Sequence, residues 1–258
     1  MPFNIILPSS RGLSLALAQA LLHSSPNHLI ATCRHSPSAL QSALTSSSIP
    51  SSRVTVLHAD VKSEPTLAAA AAAVRTQFPT DTAEYIFSTA GVLYPERSPG
   101  AIEHDAALDT LRTNLLGPML VMKHFGQFLP RRRRGDAEKG TPAATPAVWV
   151  NLSARVGSIG DNRAGGWYSY RASKAGLNAV TKSFDIYLAG RSGDAAMAVA
   201  IHPGTVRTGL SKEFWDHVPE GQLFEPEDAA EKVLGVVMGL DVAQRGGFYD
   251  WMGERVEW

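Results

Sequence analysis

Short apolar runs alternate with longer amphipathic segments along the whole chain. Each run has the length of a strand and is bounded by turn residues, which is typical of strands buried on both faces of a parallel sheet. The predicted strands are Phe3–Leu7, His28–Cys33, Arg53–His58, Glu84–Ser88, Ala147–Leu152 and Met197–Ile201. The tail from Gly246 to Trp251 predicts one further strand.

The segments between these runs repeat Leu, Ala, Val and Phe at helical spacing. The predicted helices are Gly12–His23, Ser38–Ser46, Glu64–Phe78, Ala101–Leu129 and Gly166–Ala189. Ser36 and Ser63 stand where helix N-caps are expected. The alternation predicts one α/β domain over residues 1–258: a Rossmann-type, doubly wound, mostly parallel sheet of about seven strands with helices on both faces.

Composition narrows the class of partner. Of the 258 residues 44% are hydrophobic, and 24 basic side chains balance 24 acidic ones, so no overall basic field attracts nucleic acid or an anionic membrane. No apolar run reaches transmembrane length, and the first residues do not resemble a signal peptide. The single cysteine, Cys33, weakly favours a reducing compartment. We expect a cytoplasmic protein without nucleic-acid or membrane partners.

Two segments leave their interpretation open. The polar stretch Arg131–Pro146 is typical of a surface loop, although its Arg131–Arg134 run is also compatible with an anion-binding patch or a partner contact. The segment Gly209–Phe224 is apolar for a loop, and a substrate lid and a small helix packed on the core explain it equally well.

The turn after the first predicted strand is a candidate phosphate-binding turn, because backbone N–H groups and a helix N-terminus meet there in dinucleotide-binding folds. It reads Leu7-Pro8-Ser9-Ser10-Arg11-Gly12-Leu13-Ser14 and contains one glycine, so an ordinary strand–helix turn is an equal alternative. Pro8 lacks an N–H and has a fixed φ, which predicts a different or weaker phosphate contact.

The end of the second predicted strand indicates which nicotinamide cofactor binds. A carboxylate there holds the ribose hydroxyls of NAD, whereas an arginine accommodates the 2′-phosphate of NADP. Arg34 occupies or adjoins this position, no carboxylate is present, and Arg11 supplies a second positive charge. Two solvated surface arginines are the alternative, but the pattern favours NADPH over NADH.

Tyr170 and Lys174 are four residues apart on a predicted helix and therefore share one face. An ammonium beside a phenol lowers the pKa of the phenol, so we expect an acid/base pair. Ser153 follows a predicted central strand, at the sheet edge where ligands of open α/β sheets bind. Asn114, amid apolar neighbours, is either a structural tie or part of a proton path. Tyr168 falls on another helical face and is rejected as the catalytic tyrosine.

These residues stand in the order of a known family. The matching elements are Ser10-Arg11-Gly12-Leu13, Asp60-Val61, Ser88-Thr89-Ala90-Gly91, Asn114, Ser153, Tyr170-x-x-x-Lys174 and His202-Pro203-Gly204-Thr205-Val206-Arg207-Thr208. Over essentially its full length the chain resembles the classical short-chain dehydrogenase/reductases, particularly the C-factor-type and sniffer-like members.

The resemblance implies an NADPH-dependent oxidoreductase that moves a hydride between nicotinamide and a carbonyl or alcohol carbon of a small molecule. Tyr170 would be the general acid, Lys174 would lower its pKa and bind the nicotinamide ribose, Ser153 would stabilise the substrate oxygen, and Asn114 would hold a water linking Lys174 to solvent. The implied cofactor-binding residues are Ser9, Ser10, Arg11, Gly12, Leu13, Arg34, Asp60, Val61, Ala90, Gly91, Tyr170, Lys174, Pro203, Gly204, Val206 and Thr208.

The resemblance also implies a homodimer or homotetramer, paired through the two long helices. We expect Val92–Gly100, Ala154–Trp167 and Gly209–Phe224 to shape the substrate site. Metal catalysis is not expected, because the eight histidines form no ligand-like cluster. A catalytically weak nucleotide-binding regulatory or scaffold protein is the alternative that Pro8 and Ser14 suggest.

Overall fold

A seven-stranded parallel sheet forms the centre of the computed structural model, which describes residues 2–132 and 145–258. Its strands are β1 (Phe3–Leu7), β2 (His28–Cys33), β3 (Val54–His58), β4 (Ala83–Ser88), β5 (Ala147–Leu152), β6 (Ala196–His202) and β9 (Phe248–Asp250). Their order across the sheet is β3-β2-β1-β4-β5-β6-β9. Two short strands, β7 (Thr205–Val206) and β8 (Leu223–Phe224), pair separately.

Within the described ranges, seven α-helices connect the strands: α1 (Gly12–Ser24), α2 (Pro37–Leu44), α3 (Glu64–Gln77), α4 (His104–Leu111), α5 (Gly117–Phe125), α6 (Tyr168–Ser192) and α7 (Pro226–Gly239). They cover both faces of the sheet. One core cluster joins the sheet to α1, α2 and α7, and another joins it to α3, α5 and α6. Consecutive side chains alternate between the clusters: Ile6 lies in the first, and Ile5 and Leu7 lie in the second. The predicted fold class is confirmed.

The predicted helix Ala101–Leu129 is not continuous. Residues Pro99–Ala101 form a short 3₁₀ turn, α4 starts at His104, and a π-helical turn over Arg112–Leu116 separates α4 from α5. A widened turn preserves the spacing of apolar side chains closely enough that periodicity does not reveal it. Such turns are frequent at functional sites, and this one contains Asn114.

Other helices also begin or end at residues different from those predicted. The predicted helix Gly166–Ala189 starts at Tyr168, because Trp167 takes the left-handed conformation at φ 48°, and it continues to Ser192. Ser36 and Ser63 do precede their helices, but neither side chain makes a capping hydrogen bond.

The sequence left the interpretation of two segments open, and the structure describes one of them fully and the other only in part. Within Gly209–Phe224 the chain forms a 3₁₀ helix over Lys212–His217 and then strand β8. Of the Arg131–Arg134 run only Arg131 and Arg132 are described, because residues 133–144 lie outside the described part of the chain. In the described ranges no helix is long and apolar enough to cross a membrane.

The strand order reverses between β1 and β4. The chain runs outward from β1 through β2 to β3 and then returns to β4 on the other side of β1. Leu7 at the end of β1 pairs with Ser88 at the end of β4, so the loops that follow diverge and leave a crevice. In doubly wound sheets ligands bind at this switch point, outside the carboxyl ends of the strands.

Candidate active site

One face of α6 lies against the carboxyl end of β5. Tyr170, Lys174 and Asn178 follow one another at intervals of four residues, which places them in a row along this face. Lys174 donates from Nζ to the Leu152 carbonyl oxygen at 2.8 Å, and Ser153 donates from Oγ to Asn178 Oδ1 at 2.6 Å. The structure thus brings the predicted Ser153, Tyr170 and Lys174 together at the expected sheet edge.

Burial dominates the electrostatics of the Tyr170–Lys174 pair. Lys174 is 3% exposed, and desolvation lowers its pKa to about 8. Its Nζ lies 5.8 Å from the centre of the Tyr170 ring. Burial raises the pKa of the Tyr170 phenol above its ordinary value of 10.0. The expected lowering of the Tyr170 pKa is therefore wrong for this arrangement: the ammonium is bound to a backbone carbonyl, and desolvation favours the neutral phenol.

Asn114 joins the loop after β4 to α6 by hydrogen bonds. Its Oδ1 accepts from Val92 N at 2.8 Å, and its Nδ2 donates to Val92 O at 2.9 Å and to Ser173 Oγ at 3.1 Å. Gly91 lies beside both Lys174 and Asn114: a Cβ at this position would be 3.9 Å from Lys174 Nζ and 4.0 Å from Asn114 Oδ1. Of the two sequence interpretations, the structural tie is directly visible.

Glu96, which is not among the predicted site residues, holds the start of α6. Its carboxylate accepts hydrogen bonds from the Ser169 backbone N–H at 2.7 Å and from the Ser169 hydroxyl, and its backbone carbonyl accepts from Trp167 N at 2.7 Å. Glu96 is 3% exposed. An isolated glutamate in a loop gives no sequence signal, because its role depends on two distant segments meeting.

Aromatic side chains border the Tyr170 side of the site. The Trp167 ring lies 6.1 Å from that of Tyr170 and 4.7 Å from that of Phe214, measured between ring centres. Phe214 lies on the 3₁₀ helix Lys212–His217, so Trp167 lies between this helix and Tyr170. Tyr168 is exposed, in agreement with its rejection.

The turn between β1 and α1 contains the predicted phosphate-binding groups. Ser9 is fully buried: its N–H donates to Thr32 O in β2, and its hydroxyl donates to Ile6 O in β1 and accepts from Thr32 N. Its side chain therefore lies inside the turn, and its contact with the cofactor stays a prediction. Ser10 and Arg11 are exposed. The N-cap residue Arg11 makes no capping hydrogen bond with its side chain, and the first turn of α1 has no acidic residue.

The segment after β6 closes over this turn. Gly12 has φ 53°, and a Cβ there would lie 3.0 Å from Thr208 Cγ2. Leu13 packs against the cluster that contains Val206. Gly204 has φ 80°, and a Cβ there would lie 2.6 Å from the Phe224 ring. The predicted phosphate turn and the predicted nicotinamide segment Pro203–Thr208 are thus neighbours.

The remaining predicted cofactor residues surround the crevice. Asp60 accepts from Lys62 N at 2.9 Å, and Val61 packs closely against Gly117 of α5. Ala90 is buried beside Gly91, after β4. Arg34 is exposed just beyond the end of β2.

These groups fit a phosphorylated dinucleotide. Arg34 and Arg11 make no ion pair with residues 2–132 or 145–258, so both guanidinium groups are available to phosphate. The uncapped N–H groups of α1 offer further donors for an anion.

Two more polar residues adjoin the site and were not predicted. Asn178 is buried, bonds to Ser153 and stands four residues after Lys174, a spacing that could have revealed it. His202 is the half-buried last residue of β6, and desolvation of its ring lowers its pKa to about 4, with Arg155 and Lys174 adding to the effect. Its imidazole is therefore neutral at physiological pH.

Comparison with known proteins agrees with this geometry. The family described as short chain dehydrogenase matches residues 4–219. The 1-hydroxy-2-glutathionyl-2-methyl-3-butene dehydrogenase of Rhodococcus sp. strain AD45 is 31% identical over 173 residues, which cover 67% of each chain. The carbonyl reductase Sniffer of D. melanogaster superposes with a TM-score of 0.84 at 27% identity, over 100% of both chains. A Burkholderia multivorans protein solved with bound NADP gives a TM-score of 0.75 at 25% identity, over 100% of this chain and 99% of that one.

The fold and the site define a nicotinamide-dependent α/β oxidoreductase. This chain belongs to the short-chain dehydrogenase family, as its sequence pattern predicted.

Proposed function

We propose that this protein is an NADPH-dependent carbonyl reductase that acts on a small molecule. The observation that carries the proposal is the row Tyr170–Lys174 on α6 beside Ser153 at the end of β5. A hydroxyl donor, a phenol and a buried ammonium at the carboxyl edge of a doubly wound sheet suit protonation of an oxygen that gains charge.

NADPH, when bound, supplies the hydride, and Arg11, Gly12, Arg34 and the segment Pro203–Thr208 are the residues that would hold it. Ser153 donates a hydrogen bond to the substrate carbonyl and stabilises the negative charge that develops on its oxygen. Tyr170 transfers its phenolic proton to that oxygen. Lys174, fixed by the Leu152 carbonyl, places a positive charge near the phenolate that remains.

The protonated phenol of Tyr170 carries the proton that reduction consumes. Burial raises its pKa, so the phenolate left after proton transfer depends on the nearby positive charge of Lys174.

The proposed preference for NADPH over NADH rests on the positive charges of two arginines. Arg34 stands where a carboxylate would bind the ribose of NAD, and Arg11 adds a second cation. The NADP bound to the Burkholderia multivorans protein is consistent with this preference.

The substrate side is apolar and aromatic. A cleft of about 380 Å³ is lined by Pro95, Arg97, Ala101, Trp167, Glu213, Phe214 and His217, and Trp167 connects it to Tyr170. Apolar walls with a few charged groups suit an aromatic or aliphatic ketone or aldehyde that carries a polar substituent. The name of the Rhodococcus relative, which includes a glutathionyl group, agrees with a bulky polar substituent.

A homo-oligomer is part of the proposal. Leu108, Leu111, Leu116, Met119, Ile186 and Tyr187 are exposed apolar side chains on α4, the π-helical turn, α5 and α6. These helices are the ones through which the family resemblance implies pairing, and burying such a surface against a second copy removes it from water.

The test is a panel of aliphatic and aromatic ketones and aldehydes, followed by NADPH absorbance, with wild type and Tyr170→Phe. We expect turnover on part of the panel, no measurable turnover for Tyr170→Phe, and similar NADPH affinity for both proteins by calorimetry. Binding of NADPH without turnover of any carbonyl would instead support a nucleotide-binding regulatory protein. Near-wild-type rates in Tyr170→Phe would exclude Tyr170 as the acid.

A further inference from the structure

The contact between Ser153 and Asn178 conflicts with the proposed role of Ser153. A serine hydroxyl has one proton to donate. Ser153 donates it to Asn178 Oδ1 at 2.6 Å, and both side chains are buried. While the proton is bound there, Ser153 offers a substrate carbonyl only lone pairs, which repel the growing negative charge.

The Asn178 amide has an unused donor. Its Nδ2 is buried and has no hydrogen-bond partner in the described part of the chain. A half-turn of the amide exchanges its nitrogen and oxygen, so Nδ2 would then donate to Ser153 Oγ. This orientation satisfies a buried N–H, which is rarely left unpaired, and releases the Ser153 proton.

Hydrogen bonds on either side of the contact keep Ser153 and Asn178 next to each other. On either side of this contact α6 is bonded to β5: Lys174 donates to Leu152 O, and Asn151 Nδ2 donates to Thr181 Oγ1 at 2.8 Å. Because both flanking contacts fix the helix against the strand, the Asn178 amide can rotate without separating α6 from the Ser153 hydroxyl.

We propose that Asn178 is a positioning residue that directs the Ser153 hydroxyl toward the substrate by donating to Ser153 Oγ during the reaction. The inference rests on the proposed function, because it concerns a donor to a carbonyl oxygen. The result is a chain of hydrogen bonds from Asn178 through Ser153 to the substrate. Each bond in such a chain polarises the next, so the Ser153 proton becomes a better donor as charge grows.

The test is a double-mutant cycle on ketone reduction by NADPH. Asn178→Asp has nearly the same shape, but an ionised carboxylate only accepts and keeps the Ser153 proton. Asn178→Ala removes the partner altogether. Each substitution is made in the wild type and in Ser153→Ala, and kcat, KM, NADPH affinity and the melting temperature are measured for all six proteins.

We expect Asn178→Asp to lower kcat about tenfold or more, as loss of a hydrogen-bond donor to a developing oxyanion does, with KM and NADPH affinity little changed. In Ser153→Ala the same substitution should have almost no further effect on kcat, because the hydroxyl it misdirects is gone. If Asn178→Asp does not fold, Asn178→Ala takes its place in the cycle, with a smaller loss that likewise disappears in Ser153→Ala.

Two results would overturn the inference while leaving the proposed function intact. One is a wild-type kcat in a folded Asn178→Asp protein. The other is an equal loss in both backgrounds, which would assign Asn178 to holding α6 against β5 or to an effect on Lys174. A Ser153→Ala protein with wild-type kcat would instead contradict the proposed role of Ser153, and the role of Asn178 with it.

Discussion

Glu96 accepts a hydrogen bond from the backbone N–H of Ser169 at 2.7 Å, and its other carboxylate oxygen accepts the Ser169 hydroxyl. The carboxylate makes no ion pair with the described residues, although it is almost fully buried. Its charge is stabilised by two donors and by the positive end of α6. The loop after β4 therefore fixes the first turn of the helix that carries Tyr170.

Replacing Glu96 should destabilise the fold. We predict that Glu96→Ala lowers the free energy of unfolding by about 3 kcal/mol, because a buried charged acceptor is lost and its two donors are left unpaired. Glu96→Gln retains one acceptor and should lose about 1 kcal/mol. Urea denaturation measures both. Equal stability of Glu96→Ala and wild type would show that the contacts of Glu96 with Ser169 do not stabilise the fold.

Lys174 makes stability depend on alkaline pH. Its pKa is about 8 in the folded protein and 10.5 ordinarily, so between these values the unfolded chain binds the extra proton. Stability from this group therefore rises with pH across that window and is constant below pH 8. Lys174→Met should flatten the rise, retain the fold at neutral pH and abolish reduction. Unfolding free energies measured from neutral to alkaline pH test this; identical slopes for both proteins would refute the lowered pKa.

Arg34 should determine the choice between NADPH and NADH. We predict that Arg34→Asp weakens NADPH binding about 10- to 100-fold, since a charge-assisted contact with the 2′-phosphate is lost and a like charge is introduced. NADH binding should be unchanged or tighter. Calorimetric titration of both cofactors measures the shift, and the same titration of Arg11→Ala measures the contribution of the second cation. An unchanged preference in Arg34→Asp would move the phosphate contact to Arg11.

Gly12 should tolerate no side chain. Alanine at φ 53° costs about 1 kcal/mol or more, and its Cβ would lie 3.0 Å from Thr208 Cγ2. We predict that Gly12→Ala weakens NADPH binding and lowers the melting temperature. Adding Thr208→Ser removes that methyl group and should restore part of both losses. No recovery in the double variant would mean that the backbone conformation alone accounts for the loss.

The strands were predictable because burial on both faces leaves a plain apolar run. The bounds of β1, β2 and β5 are as predicted, β3 and β4 differ by one residue at their first residue, and β6 is longer by one residue at each end. Helix bounds were less predictable, because the left-handed Trp167 and the π-helical turn around Asn114 arise from tertiary contacts.

The candidate site was predictable in part. Four-residue spacing correctly put Tyr170 and Lys174 on one face, but spacing does not report depth, and depth reverses the expected shift of the Tyr170 pKa. The burial of Ser9 was likewise not predictable from its neighbours, because it depends on hydrogen bonds to Ile6 and to Thr32 on the adjacent strand.

The stretch from Val92 to Glu96 is held by hydrogen bonds at both ends: Val92 bonds to Asn114, and Glu96 bonds to Ser169. A segment pinned in this way has little freedom to accommodate differently shaped molecules. We therefore expect adaptation to new substrates to change the segment Gly209–Phe224, in which Leu210 is exposed and Phe214 lies on a short 3₁₀ helix. Directed evolution of substrate range would best begin with Leu210 and Phe214 and keep the residues from Val92 to Glu96 unchanged.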